Sequence, residues 1–412
     1  MNKKLSVSMF VLIAAALMLS ACGTAATPTA PAVVPLTGNN TAVPSTSSTT
    51  VPSTLSTATT APVAAATATT AALEPGSITI NGAGSTFQQP AMSQWAYGYS
   101  YVDPSVAINY QGVGSGAGKT AIISGTVDFA GSDSVLTDAE IASGKDLQMF
   151  PILAGAEVIT YNLPELDATK DPAVILDGKT LVGIYNGTIN KWNDPAITAL
   201  NPQIATKLPA KQITVVHRSD GSGTTEIFTN ALSSFDSTWT AGHGSTVQWP
   251  ADKAGNGIGG KGNQGVAAAV QNTPDSLGYV EYAFAISNKL PFAQMVNQAG
   301  QTVTATSDSV GSAMNDFASA FTPQLTAVIV NGKGAGSWPI AGYTYVILHM
   351  TSMTDCVKAQ KLVNFINWSL TDAAAVKQAT TIGFVPLPSA VQQQVLAKLG
   401  QVTCNGQALK VK

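Results

Sequence analysis

The chain has 412 residues, enough for two lobes with cores of their own. Charged residues make up only 10% of it, so backbone and hydroxyl groups must supply most of the polar chemistry. The formal net charge of −3 argues against a nucleic-acid partner, which would need a basic face.

At the start, Lys3 and Lys4 precede an uncharged run, residues 5–19, that is too short and too weakly flanked to span a bilayer and reads as a secretory signal. The stretch Leu19-Ser20-Ala21-Cys22 resembles the lipobox of bacterial lipoproteins. That resemblance implies that residues 1–22 are a lipoprotein signal, that Cys22 is acylated, and that the mature chain is extracytoplasmic and held to the cell membrane by its lipid. An ordinary cleaved signal with a chance cysteine is the plainer alternative. Residues 23–76 are nearly all Thr, Ala, Pro, Ser and Val, with no charge before Glu74, and are expected to be a disordered tether.

From residue 77 onward, short β-branched runs alternate with helix-like segments. Residues 77–80, 106–110, 126–129, 157–161 and 213–216 are predicted strands, and residues 87–99 and 225–232 carry apolar side chains at helical spacing. The alternation predicts α/β layers. Three Gly-rich junctions each follow a strand and open a helix: residues 81–87, 111–118 and 218–224. Free N–H groups, the helix dipole and close backbone approach make each a candidate anion cradle, although a Gly-Ser turn before a helix is often only a cap. In the second junction, Gly118-Lys119-Thr120 ends like an NTP-binding P-loop, but Val113 stands where that pattern needs glycine. Lys119 is therefore expected to be a solvated first-turn residue.

No Gly-x-Ser-x-Gly nucleophile elbow occurs, and His217, His243 and His349 share no metal-ligand spacing. Neither a catalytic residue, a metal site nor a cofactor is expected, and His217 reads as packed beside Arg218. Cys356 and Cys404, an even pair in an exported domain, are expected to form one disulfide. Arginine occurs once, at position 218, while lysine supplies every other basic side chain. A planar guanidinium matches two oxygens of a tetrahedral anion in a way lysine does not, and Arg218 opens a Ser-Asp-Gly-Ser-Gly-Thr turn rich in further donors.

Taken in order and spacing, residues 82–87, 109–116, 127–133, 176–181, 191–192, 218–224, 259–263 and 278–282 resemble the phosphate-binding proteins of bacterial high-affinity phosphate ABC transporters. Trp338-Pro339-Ile340 and residues 343–348 resemble them more loosely. The resemblance implies a two-lobed periplasmic binding protein fold of the class II type, with a hinge and a ligand cleft between lobes. Residues 77–160 and 283–412 would form lobe I and residues 161–282 lobe II. Inorganic phosphate would be bound by Thr86, Phe87, Ser115, Asp133, Arg218, Ser222, Gly223 and Thr224, and delivered by a monomer to a membrane permease, with no bond broken. Asp133 would accept a hydrogen bond from the ligand, which sulfate has no proton to give; its plainer role is as the N-cap of a helix over residues 134–141. The rival readings are an exported phosphatase using the same loops and a receptor for another oxyanion, such as sulfate or molybdate.

Overall fold

The computed structural model describes residues 74–411; the calls on the signal, on Cys22 and on nearly all of the tether fall outside the described residues. The elements alternate as predicted: β1 (Ile78–Gly84), α1 (Gln89–Val102), β2 (Val106–Gly112), α2 (Ser115–Ile123), β3 (Phe129–Ser132), α3 (Asp138–Gly144) and β4 (Leu147–Asn162). Next come β5 (Ile175–Asp177), α4 (Gly178–Asn186), α5 (Pro195–Leu200), β6 (Thr214–Arg218), α6 (Gly223–Phe235), α7 (Pro250–Ala254), β7 (Gly257–Gly260), α8 (Gly262–Asn272) and β8 (Ser276–Glu281). The last part holds α9 (Tyr282–Ser287), β9 (Gln294–Val296), β10 (Thr302–Val303), α10 (Ser307–Asp316), β11 (Ala341–His349), α11 (Cys356–Thr371) and α12 (Ala373–Thr381). It ends with β12 (Val385–Pro386), α13 (Ser389–Leu399), β13 (Thr403–Cys404) and β14 (Gln407–Ala408).

The main sheet has the order β2-β1-β3-β11-β4-β8-β6-β7, with β12 also paired to β4. Strand β4 serves two half-sheets: Leu147 to Ala156 pair with β11, and Glu157 to Asn162 pair with β8. The strand is buried along almost its whole length because helices and loops cover both faces, which explains its nearly unbroken apolar sequence.

Strand direction places the functional region. β1 is parallel to β2 and β3, and both β3 and β4 run antiparallel to β11, so β1 to β3 run the same way as β4. β8 is antiparallel to β4, and β6 and β7 are parallel to β8. The carboxyl ends of the parallel strands in both half-sheets therefore point at the hand-over between Ala156 and Glu157. Open α/β sheets bind ligands at such carboxyl ends.

Each half has its own packing centre. Trp95, Phe87 and Phe129 are fully buried in the first, and Tyr185, Phe228, Trp249 and Tyr279 cluster in the second with ring centroids 4.3 to 6.4 Å apart. A disulfide joins Cys356 to Cys404, whose Cα atoms are 5.4 Å apart, and ties the start of α11 to the final hairpin. Among the described residues no helix is long and apolar enough to cross a membrane.

Two local expectations are corrected. Helix α3 starts at Asp138 and is capped by Thr137, in a box closed by Glu140, so Asp133 is not its N-cap. The loop after β3 runs on past the start expected for a helix over residues 134–141: Ser132 Oγ donates to the Ser134 carbonyl and accepts from Ser134 N–H, which holds the chain away from helical geometry. Lys119 is not solvated: it is buried, and its ammonium donates to Glu140 at 3.0 Å and to the Val135 carbonyl at 3.1 Å.

Candidate functional site

The three Gly-rich junctions meet at the hand-over. Gly116 N–H donates to the Gly221 carbonyl at 3.0 Å, where a Cβ on Gly116 would lie 3.2 Å from the Gly221 Cα, and the loop after β3 comes as near, so that a Cβ on Gly223 would lie 2.6 Å from that of Asp133. The first junction turns out of β1 into α1, the second opens α2 at Ser115, and the third leads from β6 into α6, where the Ser222 hydroxyl accepts from Thr225 N–H as the helix cap. All eight residues singled out in the sequence are buried here.

The donors and acceptors form two hydrogen-bond networks, each crossing between the half-sheets. Thr86 Oγ1 accepts from Asn263 N–H at 3.1 Å and from its amide at 2.9 Å. The same amide donates to Thr224 Oγ1 at 3.1 Å, which also accepts from Arg218 Nη1 at 3.2 Å. Ser115 Oγ accepts from Gly223 N–H at 3.1 Å and from Asp133 N–H at 3.3 Å. Phe87 N–H donates to Ser85 Oγ at 2.9 Å, whose proton goes to Asp133. Thr86, Thr224 and Arg218 are thus joined through Asn263, and Phe87, Ser115, Asp133 and Gly223 through Ser85 and Ser115, while the Ser222 side chain faces its own helix.

Arg218 is not a free fork. Its Nε and Nη2 donate to the two carboxylate oxygens of Asp220 at 2.8 and 2.6 Å, and Nη1 donates to Thr224. Of five guanidinium donors this leaves one N–H on each terminal nitrogen. Asp220 in turn accepts from Gly262 N–H at 3.0 Å, and the Arg218 backbone N–H is taken by the Tyr279 hydroxyl at 3.2 Å. Burial works to raise the Asp220 carboxyl, but its bond to Arg218, the guanidinium charge and the Gly262 N–H together outweigh that and hold it below the usual range. His217 is packed beside Arg218 as expected, stacked on Trp249 and bonded through Nε2 to Asp252 at 2.8 Å.

Asp133 is the acceptor of the site. Oδ1 accepts from the Ser85 and Thr344 hydroxyls at 2.6 and 2.7 Å; Oδ2 accepts from Ser85 at 2.7 Å and from Ser115 at 3.5 Å. Burial pushes this carboxyl up to about 6, and the hydroxyl bonds and the Arg218 charge work against the rise. At neutral pH it is mostly ionised. Two further acids lie behind it, side by side in the pairing of β4 with β8: Glu157 and Glu281. Burial drives both far above the usual carboxyl range. Neither carboxyl oxygen of Glu157 has a hydrogen-bond partner among the described residues. Burial thus favours the neutral form of both acids, and the charges at the site are those of Asp133, Asp220 and Arg218.

Ser85, Asp220, Asn263, Tyr279 and Thr344 were not singled out as site residues. All five lie within stretches quoted for the resemblance, but nothing in one-dimensional spacing separates a residue that touches Asp133 or Arg218 from its neighbours. Among the described residues no group of three or more His, Cys, Asp or Glu is placed to hold a metal ion.

Two α/β half-sheets that share one long strand and converge their strand ends on a buried polar site define the two-lobed periplasmic binding protein class. The description "PBP superfamily domain" matches residues 48–373. The phosphate-binding protein PstS of Pasteurella multocida is 39% identical over 332 residues, covering 80% of this chain and 92% of its own. Its namesake from Methanocaldococcus jannaschii is 34% identical over 348 residues, 81% of this chain and 87% of its own. The chain belongs to the PBP superfamily and, within it, to the PstS family of phosphate-binding proteins. In fold it is similar to a solved high affinity periplasmic phosphate-binding protein bound with phosphate, with a TM-score of 0.61 at 24% identity over 78% of this chain and 93% of that one. The phosphate binding protein of Stenotrophomonas maltophilia shares the fold at a TM-score of 0.56 and 22% identity, over 77% and 93% of the two chains.

Proposed function

We propose that this protein captures inorganic phosphate outside the cytoplasmic membrane and delivers it to the permease of an ABC transporter. The observation that carries the reading is Asp133, a buried acceptor bonded to Ser85, Ser115 and Thr344 and within reach of the Arg218 charge where the strand ends converge. A carboxylate there suits an anion that still has a proton to donate and repels one that has none. The membership in the PstS family supports the same ligand.

Thr86 and Phe87 supply backbone N–H groups, with the Thr86 hydroxyl; Ser115 adds N–H and hydroxyl. Arg218, Ser222, Gly223 and Thr224 close from the other side, Arg218 using the two N–H groups that Asp220 and Thr224 leave. The ligand displaces bonds these donors now make to each other, such as Phe87 to Ser85 and Gly223 to Ser115. The two lobes are residues 77–160 with 283–412, and residues 161–282, except that residues 157–160 go with the second, because the hinge lies where β4 changes partner between Ala156 and Glu157. The chain acts as a monomer and breaks no bond, and Cys22 anchors it by lipid to the outer face of the membrane with residues 23–76 as its tether.

Titration calorimetry with phosphate, sulfate and molybdate tests the ligand: phosphate binds tightly and sulfate does not at neutral pH. Preferred binding of sulfate would overturn the reading, as would turnover of a chromogenic phosphoester. Mass spectrometry of membrane-bound material tests the anchor, with a diacylglyceryl modification expected on Cys22.

A further inference from the structure

We propose that Ser85 and Thr344 are positioning residues for anion selection: their hydroxyls occupy Oδ1 of Asp133 and leave Oδ2 as the oxygen that accepts the ligand's proton. The inference rests on the reading of Asp133 as the group that chooses between anions, and goes beyond it by assigning how that choice is set.

An ionised carboxylate only accepts, with about two lone pairs on each oxygen. Oδ1 takes the Thr344 proton at 2.7 Å and the nearer share of the single Ser85 proton at 2.6 Å. Oδ2 has the shared Ser85 proton at 2.7 Å and a marginal bond from Ser115 at 3.5 Å, so it keeps capacity on the side of the network that reaches Gly223. Neither hydroxyl is placed by chance. The Ser85 oxygen accepts from Gln88 N–H at 3.4 Å and, until the ligand takes that donor, from Phe87 N–H at 2.9 Å, which turns its own proton to Asp133. Thr344 comes from a different element: Tyr345 pairs with Ser132 across β11 and β3, which sets Thr344 beside the next residue, Asp133. The β11–β4 register shifts between Thr344 and Tyr345, the kind of bulge that re-aims a side chain. Thr344 is fully buried, and Asp133 is the partner that satisfies its hydroxyl.

Both hydroxyls also favour the charged form of Asp133, because a donor stabilises the anion it points at. The other charged or titratable groups that face Asp133 are Arg218 from β6, Glu157 from β4, Glu281 from β8, Tyr110 from β2 and Tyr345 from β11, with Glu226 of α6 bonded to Val135 two residues on. Of these only Arg218 is a cation, and Asp220 already holds it. The hydroxyls are therefore the main device keeping Asp133 ionised against its burial.

The test is sulfate binding as a function of pH, followed by calorimetry beside phosphate binding. Sulfate does not titrate in this range, so it binds only when Asp133 takes up a proton and donates it. In the unmodified protein, sulfate binding appears as pH falls below about 6. In Thr344→Val the onset moves up by about 1 to 2 pH units, and the preference for phosphate over sulfate at pH 7.5 falls about tenfold or more. Thr344→Ser restores both, and Ser85→Ala, on a separate element, shifts the onset the same way. Asp133→Asn makes sulfate binding independent of pH. An unchanged onset in folded, phosphate-binding Thr344→Val and Ser85→Ala overturns the inference alone, whereas failure of the unmodified protein to bind phosphate overturns the functional reading beneath it.

Discussion

Arg218 stood out in the sequence because it is the chain's only arginine, and in the structure it sits at the meeting point of two loops with one edge held by Asp220. Arg218→Lys should weaken phosphate binding about 10- to 100-fold, since a compact ammonium cannot hold Asp220 with a planar two-point fork and still present N–H groups on its other edge to the anion; calorimetry would show it, and unchanged affinity would remove Arg218 from the site. Asp133→Asn should reduce the preference for phosphate over sulfate at neutral pH by about tenfold or more, because a carboxamide can donate to sulfate. Glu157 leads to a prediction of a different kind. Its folded-state carboxyl is raised, so the native protein keeps a proton that the unfolded chain releases, and stability falls as pH rises above the unfolded value. Glu157→Gln removes that slope, so thermal melts should show its advantage over the unmodified protein growing from pH 5 to pH 8. Arg218 and Asp133 were legible in the sequence because residue type alone marks an anion's partners. Glu157 was not, since a glutamate in a predicted strand gives no sign that both its faces are covered.

At the scale of elements, the junctions matter for how closely they can meet. A Cβ on Gly223 would lie 2.6 Å from the Asp133 Cβ and from Ser134 N, across the gap between the half-sheets. Gly223→Ala should therefore hinder closure and weaken phosphate about tenfold or more, consistent with an overpacking cost of roughly 1 to 3 kcal/mol, while the melting temperature of the ligand-free protein changes little. Equal affinity would mean that the loops have room to part. Elsewhere, Asp146 ties the loop before β4 to the end of β11: it accepts from His349, from both donors of Thr351 and from both donors of Ser352. Burial opposes its ionisation, but the His349 bond and the others hold it far below the usual carboxylate range. The predicted runs at residues 106–110, 157–161 and 225–232 fall inside β2, β4 and α6, and those at 77–80 and 213–216 begin one residue before β1 and β6, where β-branched or helical periodicity is strong. The run at residues 126–129 meets its strand only at Phe129, since β3 is a short central strand of small residues whose pairing with β1 and β11, not its propensity, makes it a strand.

For the whole molecule, the disulfide closes a long loop: Cys356 and Cys404 are 48 residues apart. By loop entropy it contributes about 4 kcal/mol, so the double alanine variant should melt several degrees lower without losing phosphate affinity, because the bond lies away from the site. What the sequence determined by itself was the α/β class, the three Gly-rich junctions, the scarcity of charge and the single arginine. Those are properties of local periodicity and composition, and each residue carries its part of them alone. Only the tertiary structure decided that β4 would serve two half-sheets, that both sets of parallel strands would end at one place, and that Ser85 and Thr344, 259 positions apart, would share one carboxylate. Such contacts depend on strand order and register, which arise from pairings between distant segments and leave no period in the chain.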